Sequence, residues 1–268
     1  MTGETHKAGG MLCAMTGFLI LRHNGLLLSN VNEFVQLAVM YPFAMWGSVA
    51  SDLDHHWDSC PSKDPPSWVV NKLLHITTPY YHKLDELLPS SVKKRSPNYK
   101  IAKFFSANHR SWQTHSDLTL ILVCGLLYSV LSGRLSNNFT SIDLCILSLM
   151  LAGLALGIVM HFILDMLTPE GVWLTCGVVI NKVLSLVLKR EIKLLPEKIH
   201  FVPKWRIFAT GSAWEDFVRK ILRIATYVTI IYFLMFIAFP KAGEWLFGLF
   251  PYELRVEAES KNFILSLI

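Results

Sequence analysis

Apolar residues in this chain come in long runs, and polar residues gather at the ends of those runs. Five runs read as helices that span a bilayer or lie deep in it: about 9–21, 31–49, 118–131, 142–164 and 221–239. A span needs about 20 apolar residues. The first run, "GGMLCAMTGFLIL", falls short of that and is expected to tilt or dip partway. The second holds Pro42 and is expected to break there. The fourth carries Gly153 and Gly157, a small-x-x-x-small face suited to close helix contact. The fifth ends at Pro240.

Two long polar stretches, 51–116 and 168–220, separate these runs. The first contains "SCPSKDPPS", which is loop chemistry, and "SVKKRSPNYKIAKFF", where basic and aromatic residues mix. That segment reads either as ordinary solvated chain or as a patch in which Lys93, Lys94 and Arg95 lie on anionic lipid headgroups. The second contains "VVINKVLSLVLKREIKLL", with apolar residues at helical spacing and lysines on one side, the pattern of an interfacial amphipathic helix.

Composition sharpens this picture. Of 268 residues, 52% are hydrophobic and 17% charged, which points to a membrane protein over a soluble helical protein with a large core. The fold class expected is therefore all-α, a polytopic membrane helical bundle of about five spanning or deeply buried helices. A membrane-embedded domain is expected over 1–220, followed by a C-terminal membrane helix and tail over 221–268. Each long polar stretch carries nine Lys and Arg residues, whereas the other connectors offer Arg22 and Arg134. With five spans, the positive-inside rule puts both stretches and the N-terminal end on the cytoplasmic face of the membrane, and the tail from Lys241 outside. The net charge of +5 is modest and bears on topology; no nucleic-acid partner is expected. The five cysteines form no C-x-x-C pair and lie mostly in apolar runs, so they read as buried hydrophobes without disulfides.

The candidate chemistry sits at the run ends on one predicted face. His6 precedes the first run, "SDLDHH" closes the second, "NHRSWQTHSD" opens the third, and "HFILDMLTPEG" closes the fourth. Ionisable groups beside lipid are costly unless something binds there. His161 and Asp165 are four residues apart on a helix, so they stack on one face as a pair of ligands. Asp52 and Asp54 alternate on a helix end or turn, where one can bind while the other orients a neighbour. The candidate ligands are His6, Asp54, His55, His109, His115, His161 and Asp165, with Asp52 beside them. Imidazoles and carboxylates without thiolate suit a divalent metal, zinc first, with manganese or iron as alternatives; so many donors suggest two or more ions.

These motifs resemble those of the YdjM-type inner-membrane proteins, a family described as metal-dependent hydrolases. Its pattern has an early His, P-D-x-D-H, G-H-R-x-x-T-H-S and H-x-x-x-D-x-x-T-x-x-G. Here His6, "SDLDH", "NHRSWQTHS" and "HFILDMLTPEG" correspond, and "GSAWEDFVRK" resembles a later G-x-x-x-E segment. Ser51 stands for the family's Pro and Asn108 for its Gly, and Trp112-Gln113 widens one spacing by a residue. The family is in turn similar to the zinc-dependent phospholipase C and zinc nuclease superfamily.

The resemblance implies phosphoester hydrolysis by a metal-activated water, with Asp52 or Asp54 accepting its proton and Arg110 offering a planar fork to a phosphate oxygen. A site at the membrane face implies a phospholipid or other lipid-linked phosphate as substrate. The competing reading is a non-catalytic membrane regulator or scaffold, in which a structural metal holds the cluster and the basic stretches recruit a cytoplasmic partner. Transport is a third; it calls for polar groups near the bilayer midplane, whereas these sit at helix ends.

Overall fold

The structure is a computed structural model, and it describes residues 1–29, 31–54, 57–60, 62–93, 95–106, 114–134, 140–169, 171–188, 190, 192–199 and 211–239. The described chain is mostly helical. The candidate ligands His55 and His109, together with Arg110 and Lys94, lie outside these residues.

Four helices make the body: α1 (Gly3–His23), α2 (Glu33–Ala50), α7 (Asp117–Leu131) and α8 (Ser141–Met166). Between α2 and α7 come the short helices α3 (Pro65–Leu74), α4 (Thr78–Leu87), α5 (Ser90–Lys93) and α6 (Pro97–Phe105). After α8 come α9 (Thr175–Val187) and α10 (Ala213–Tyr232). Two short strands, β1 (Val172–Trp173) and β2 (Lys198–Ile199), pair antiparallel, an element the apolar pattern is too coarse to reveal. By contacts the chain divides into Met1–Arg223 and Ile224–Ile268. In the second unit, the described residues carry α10 to Tyr232 and end in a π-helical turn, Phe233–Ala238.

The direction of each helix follows from its partners. A side chain at Gly153 or Gly157 would meet the carbonyl oxygens of Met40 and Ala44 at 2.3 and 2.2 Å, so α2 and α8 run side by side in the same direction with backbones touching. Gly9 faces Leu164 and Met160 while Gly17 faces Leu156, so α1 runs opposite to α8. Early α7 residues, Leu120 and Val123, pack with Ile158 and Phe162 late in α8, so α7 also runs opposite to it. Consequently the start of α1, the end of α2, the start of α7 and the end of α8 meet at one end of the bundle.

The expectation of five spans is corrected. Among the described residues, two segments, Glu33–Asp54 and Ser141–Met166, are long and apolar enough to cross a membrane. The run at 118–131 forms α7, only 15 residues, or about 22 Å at 1.5 Å per residue. The first run extends into α1, whose ends carry Glu4, Lys7, Arg22 and His23. The fifth begins eight residues early, as α10, and its first turns hold Glu215, Asp216, Arg219, Lys220 and Arg223. Pro42 does not break α2, which continues through it. Much of 51–116 is helical: Asp64 caps α3 and Ser96 caps α6, each with a proline in the first turn. The amphipathic segment forms α9 and stops at Leu188.

Candidate metal centre

Each contributing segment presents its residues for a local reason. His6 lies in the first turns of α1. Asp52 and Asp54 lie in a 3-10 turn, Ser51–Asp54, that continues α2; a turn tighter than an α-helix points residues two apart in different directions. His115 immediately precedes Ser116, the N-cap of α7, whose hydroxyl accepts from the Leu118 N–H. Its own carbonyl accepts from the Trp173 N–H, which ties it to β1. His161 and Asp165 stack on the last turns of α8, with His161 Nε2 3.1 Å from Asp165 Oδ2.

These side chains converge inside the protein. His6, His161, His115, Asp165 and Asp54 are at most 1% exposed, and Asp52 is 6% exposed. The two carboxylates Asp52 and Asp165 divide their oxygens the same way. Asp52 Oδ2 lies 3.9 Å from His6 Nε2, while Oδ1 lies 3.1 Å from His115 Nε2. Asp165 Oδ1 lies 3.5 Å from His6 Nε2, while Oδ2 faces His161 and, at 3.9 Å, His115. The His6 and His161 rings stack with centroids 4.0 Å apart.

Two of the three histidines are oriented from behind. His161 Nδ1 donates to the carbonyl of Ser48 at 2.7 Å, which fixes the tautomer and leaves the Nε2 lone pair facing the cluster. His115 Nδ1 lies 3.5 Å from Asp54 Oδ2, and the Thr114 hydroxyl donates to that same oxygen at 2.8 Å. Asp54, chosen from sequence as a ligand, thus stands behind His115. Asp52, chosen as a proton acceptor, stands among the ligand atoms. Burial disfavours a charged His115 imidazole, but hydrogen bonds and charge from Asp52 and Asp54 outweigh it and raise its pKa to about 10. A metal binding there must displace that proton.

The donor set fits a divalent cation. Two overlapping groups, His6–Asp52–His161 and His115–His161–Asp165, each offer ligand atoms within 4.8 Å of one another. Both nitrogens of His6, Nε2 of His161 and both oxygens of Asp165 are buried with no hydrogen-bond partner. Buried polar atoms left so are costly; a cation satisfies them and neutralises the acids.

Sequence reasoning missed three supporting groups. The Ser48 carbonyl carries no side-chain signature. Thr114 is visible as the Thr of the T-H-S motif, with no role attached to it. Glu215, which holds the start of α1, is legible as the acid of "GSAWED" but not as a partner of residue 2. Outside the cluster, Lys93 pairs with Asp85 at 2.9 Å, and Arg95 is exposed.

Residues 1–241 match the model of the family described as YdjM inner membrane protein. No curated protein and no solved structure matches the chain.

Proposed function

The chain belongs to the YdjM inner membrane protein family, and from that premise we propose that it is a membrane-bound, metal-dependent hydrolase acting on a lipid-linked phosphate. The observation that carries this reading is the buried convergence of three imidazoles and two carboxylates, in which both nitrogens of His6, Nε2 of His161 and both oxygens of Asp165 have no hydrogen-bond partner. His6, Asp52, His115, His161 and Asp165 would hold the metal, zinc first. The opposed oxygens of Asp52 and Asp165, one toward His6 and one toward His115, favour two ions over one. A divalent metal there supplies a Lewis acid and brings the pKa of bound water from about 15.7 to about 7.

The chain's own residues do the rest. His161 and His115 are held in position by Ser48 and by Asp54 with Thr114. Asp52 is the least buried acid of the cluster, and with both oxygens turned toward ligand imidazoles it would serve as a ligand and not as the proton acceptor. Arg110, four residues before Thr114, is the proposed phosphate anchor. The site sits where two apolar helices end, at headgroup level, and we place it on the cytoplasmic side. Lys93, Lys94 and Arg95 would hold anionic lipid nearby.

The test is incubation of detergent-purified protein with total membrane lipid, with and without chelator, followed by mass spectrometry. Chelator-sensitive release of phosphate, a phosphorylated headgroup or diacylglycerol supports the reading. Intact lipids and intact generic phosphoesters with metal-loaded protein remove it. One observation favours a second reading: a ligand set this buried suits a closed structural metal in a membrane scaffold that recruits a cytoplasmic partner. A cobalt-loaded protein whose visible spectrum ignores added phosphate would favour the scaffold.

A further inference from the structure

His6 differs from the other two histidines. His161 leans on the Ser48 carbonyl and His115 on Asp54, but neither ring nitrogen of His6 has a hydrogen-bond partner. Its aim depends on the backbone that carries it, the first turns of α1. That end of α1 is weakly held by its own residues, because the N-cap, Thr2, makes no side-chain capping bond. A helix start leaves orphan N–H groups that need acceptors.

Glu215 supplies the acceptor from the far end of the chain. It lies in the first turn of α10 and is 1% exposed. Its Oε1 accepts from the backbone N–H of Thr2 and, at 2.8 Å, from the Thr5 hydroxyl. Its Oε2 accepts from the Gly211 N–H at 2.7 Å. Gly211 has φ +79° and open space where a Cβ would be, so glycine serves the backbone conformation that aims this N–H. Exposed pairs reinforce the junction: Arg219 binds Glu4 at 2.9 Å, and Arg223 lies 3.6 Å from it. Met1, Ala8, Leu164 and Leu222 pack into one apolar cluster beneath.

We infer that Glu215 is a positioning residue, which fixes the first turn of α1 and through it aims the His6 imidazole at Asp52 and Asp165. This rests on the metal-centre reading above. The experiment loads full-length protein in detergent with Co(II) and follows affinity and visible spectrum in wild type, H6A, E215A, E215Q, T5V and H6A/E215A. E215A is expected to weaken Co(II) binding by about 10–100-fold, the usual cost of losing support behind a ligand, and to move the spectrum toward that of H6A. In the H6A background, E215A is expected to add little, because both changes remove the same ligand. E215Q, which keeps one acceptor oxygen, should recover part of the loss. T5V should shift binding in the same direction by less, and it carries the comparison if E215A does not accumulate. Wild-type affinity and spectrum in E215A or T5V, or a full additional loss in H6A/E215A, overturn the positioning role while leaving the metal centre standing. A wild-type protein that takes up no Co(II) overturns the metal centre itself, and the positioning role with it.

Discussion

The rings of His6 and His161 lie stacked, centroids 4.0 Å apart and planes 22° apart, though 155 residues separate them in the chain. Two carboxylates, Asp52 and Asp165, face the same space. A shared cation would take the unpartnered nitrogens of His6 and His161 as ligands and neutralise the acids.

Purified wild-type protein is therefore expected to carry at least one divalent ion per chain, and two if Asp52 and Asp165 bridge. His161→Ala combined with Asp165→Ala should remove most of it. Elemental analysis decides the point: unchanged metal content in the double variant would take away the core of the site.

Asp54 and Asp52 should behave differently although they are two residues apart. Asp54→Asn leaves the ligand atoms in place and loosens His115, so metal affinity should fall about 10–100-fold with stoichiometry kept. Asp52→Ala removes a ligand and should lower the stoichiometry. Titration against a competing chelator distinguishes them; identical behaviour would mean that both acids bind metal directly.

The seam between α2 and α8 leaves no room for a methyl group. A Cβ at Gly157 would lie 2.2 Å from the Ala44 carbonyl oxygen, an atom that cannot step aside. Gly157→Ala should destabilise the protein by about 1–3 kcal/mol or more and weaken metal binding, because Ser48 and His161 lie across the same seam. Gly125→Ala in α7 meets nothing within 4 Å and serves as the control, neutral or stabilising by up to about 1 kcal/mol. Thermal unfolding in detergent reads both.

Glu215 should make the metal-free protein acid-labile. Burial raises its pKa, but the N–H groups of Thr2 and Gly211 and the Thr5 hydroxyl outweigh that and lower it from 4.5 to about 2. A depressed carboxylate pKa contributes stability above 4.5 that is lost as pH falls toward 2. The stability gap between wild type and Glu215→Gln should be full above pH about 5 and close on acidification. A gap that ignores pH between those limits would show that the charge is irrelevant.

Two parallel helices demand a return path. Because α2 and α8 both end at the metal centre, the chain must come back between them, and α7 is the helix that runs the other way. In a cysteine-free background, Asn24→Cys and Ser132→Cys should label from one side of the membrane and Lys72→Cys from the other. Labelling of all three from the same side would exclude an arrangement in which α2 and α8 cross.

Much of this was legible at the ends of apolar runs. The run at 142–164 became α8 with two added residues at its C-terminal end, and the spacing of His161 and Asp165 translated directly into a shared face. What was hidden depends on geometry between distant segments. Alternation alone could not say which of Asp52 and Asp54 faces the ligands, because that depends on the 3-10 turn they occupy. The number of spans was overread because apolar character does not report length or end charge. α7 is short, and α10 opens with five acidic or basic residues in its first turns. His55, His109 and Arg110 lie outside the described residues.

The order in which the ligands leave the ribosome has a consequence for biogenesis. His6 emerges first, then Asp52 and His115, and the His161–Asp165 pair only with the end of α8. No nascent chain that stops short of Asp165 holds the set of donors, and none places Ser48 against His161 until α8 has lain down along α2. If the centre holds a metal, its capture would be a late event, and a chain starved of metal would be complete in sequence yet have unpartnered buried polar atoms at its centre.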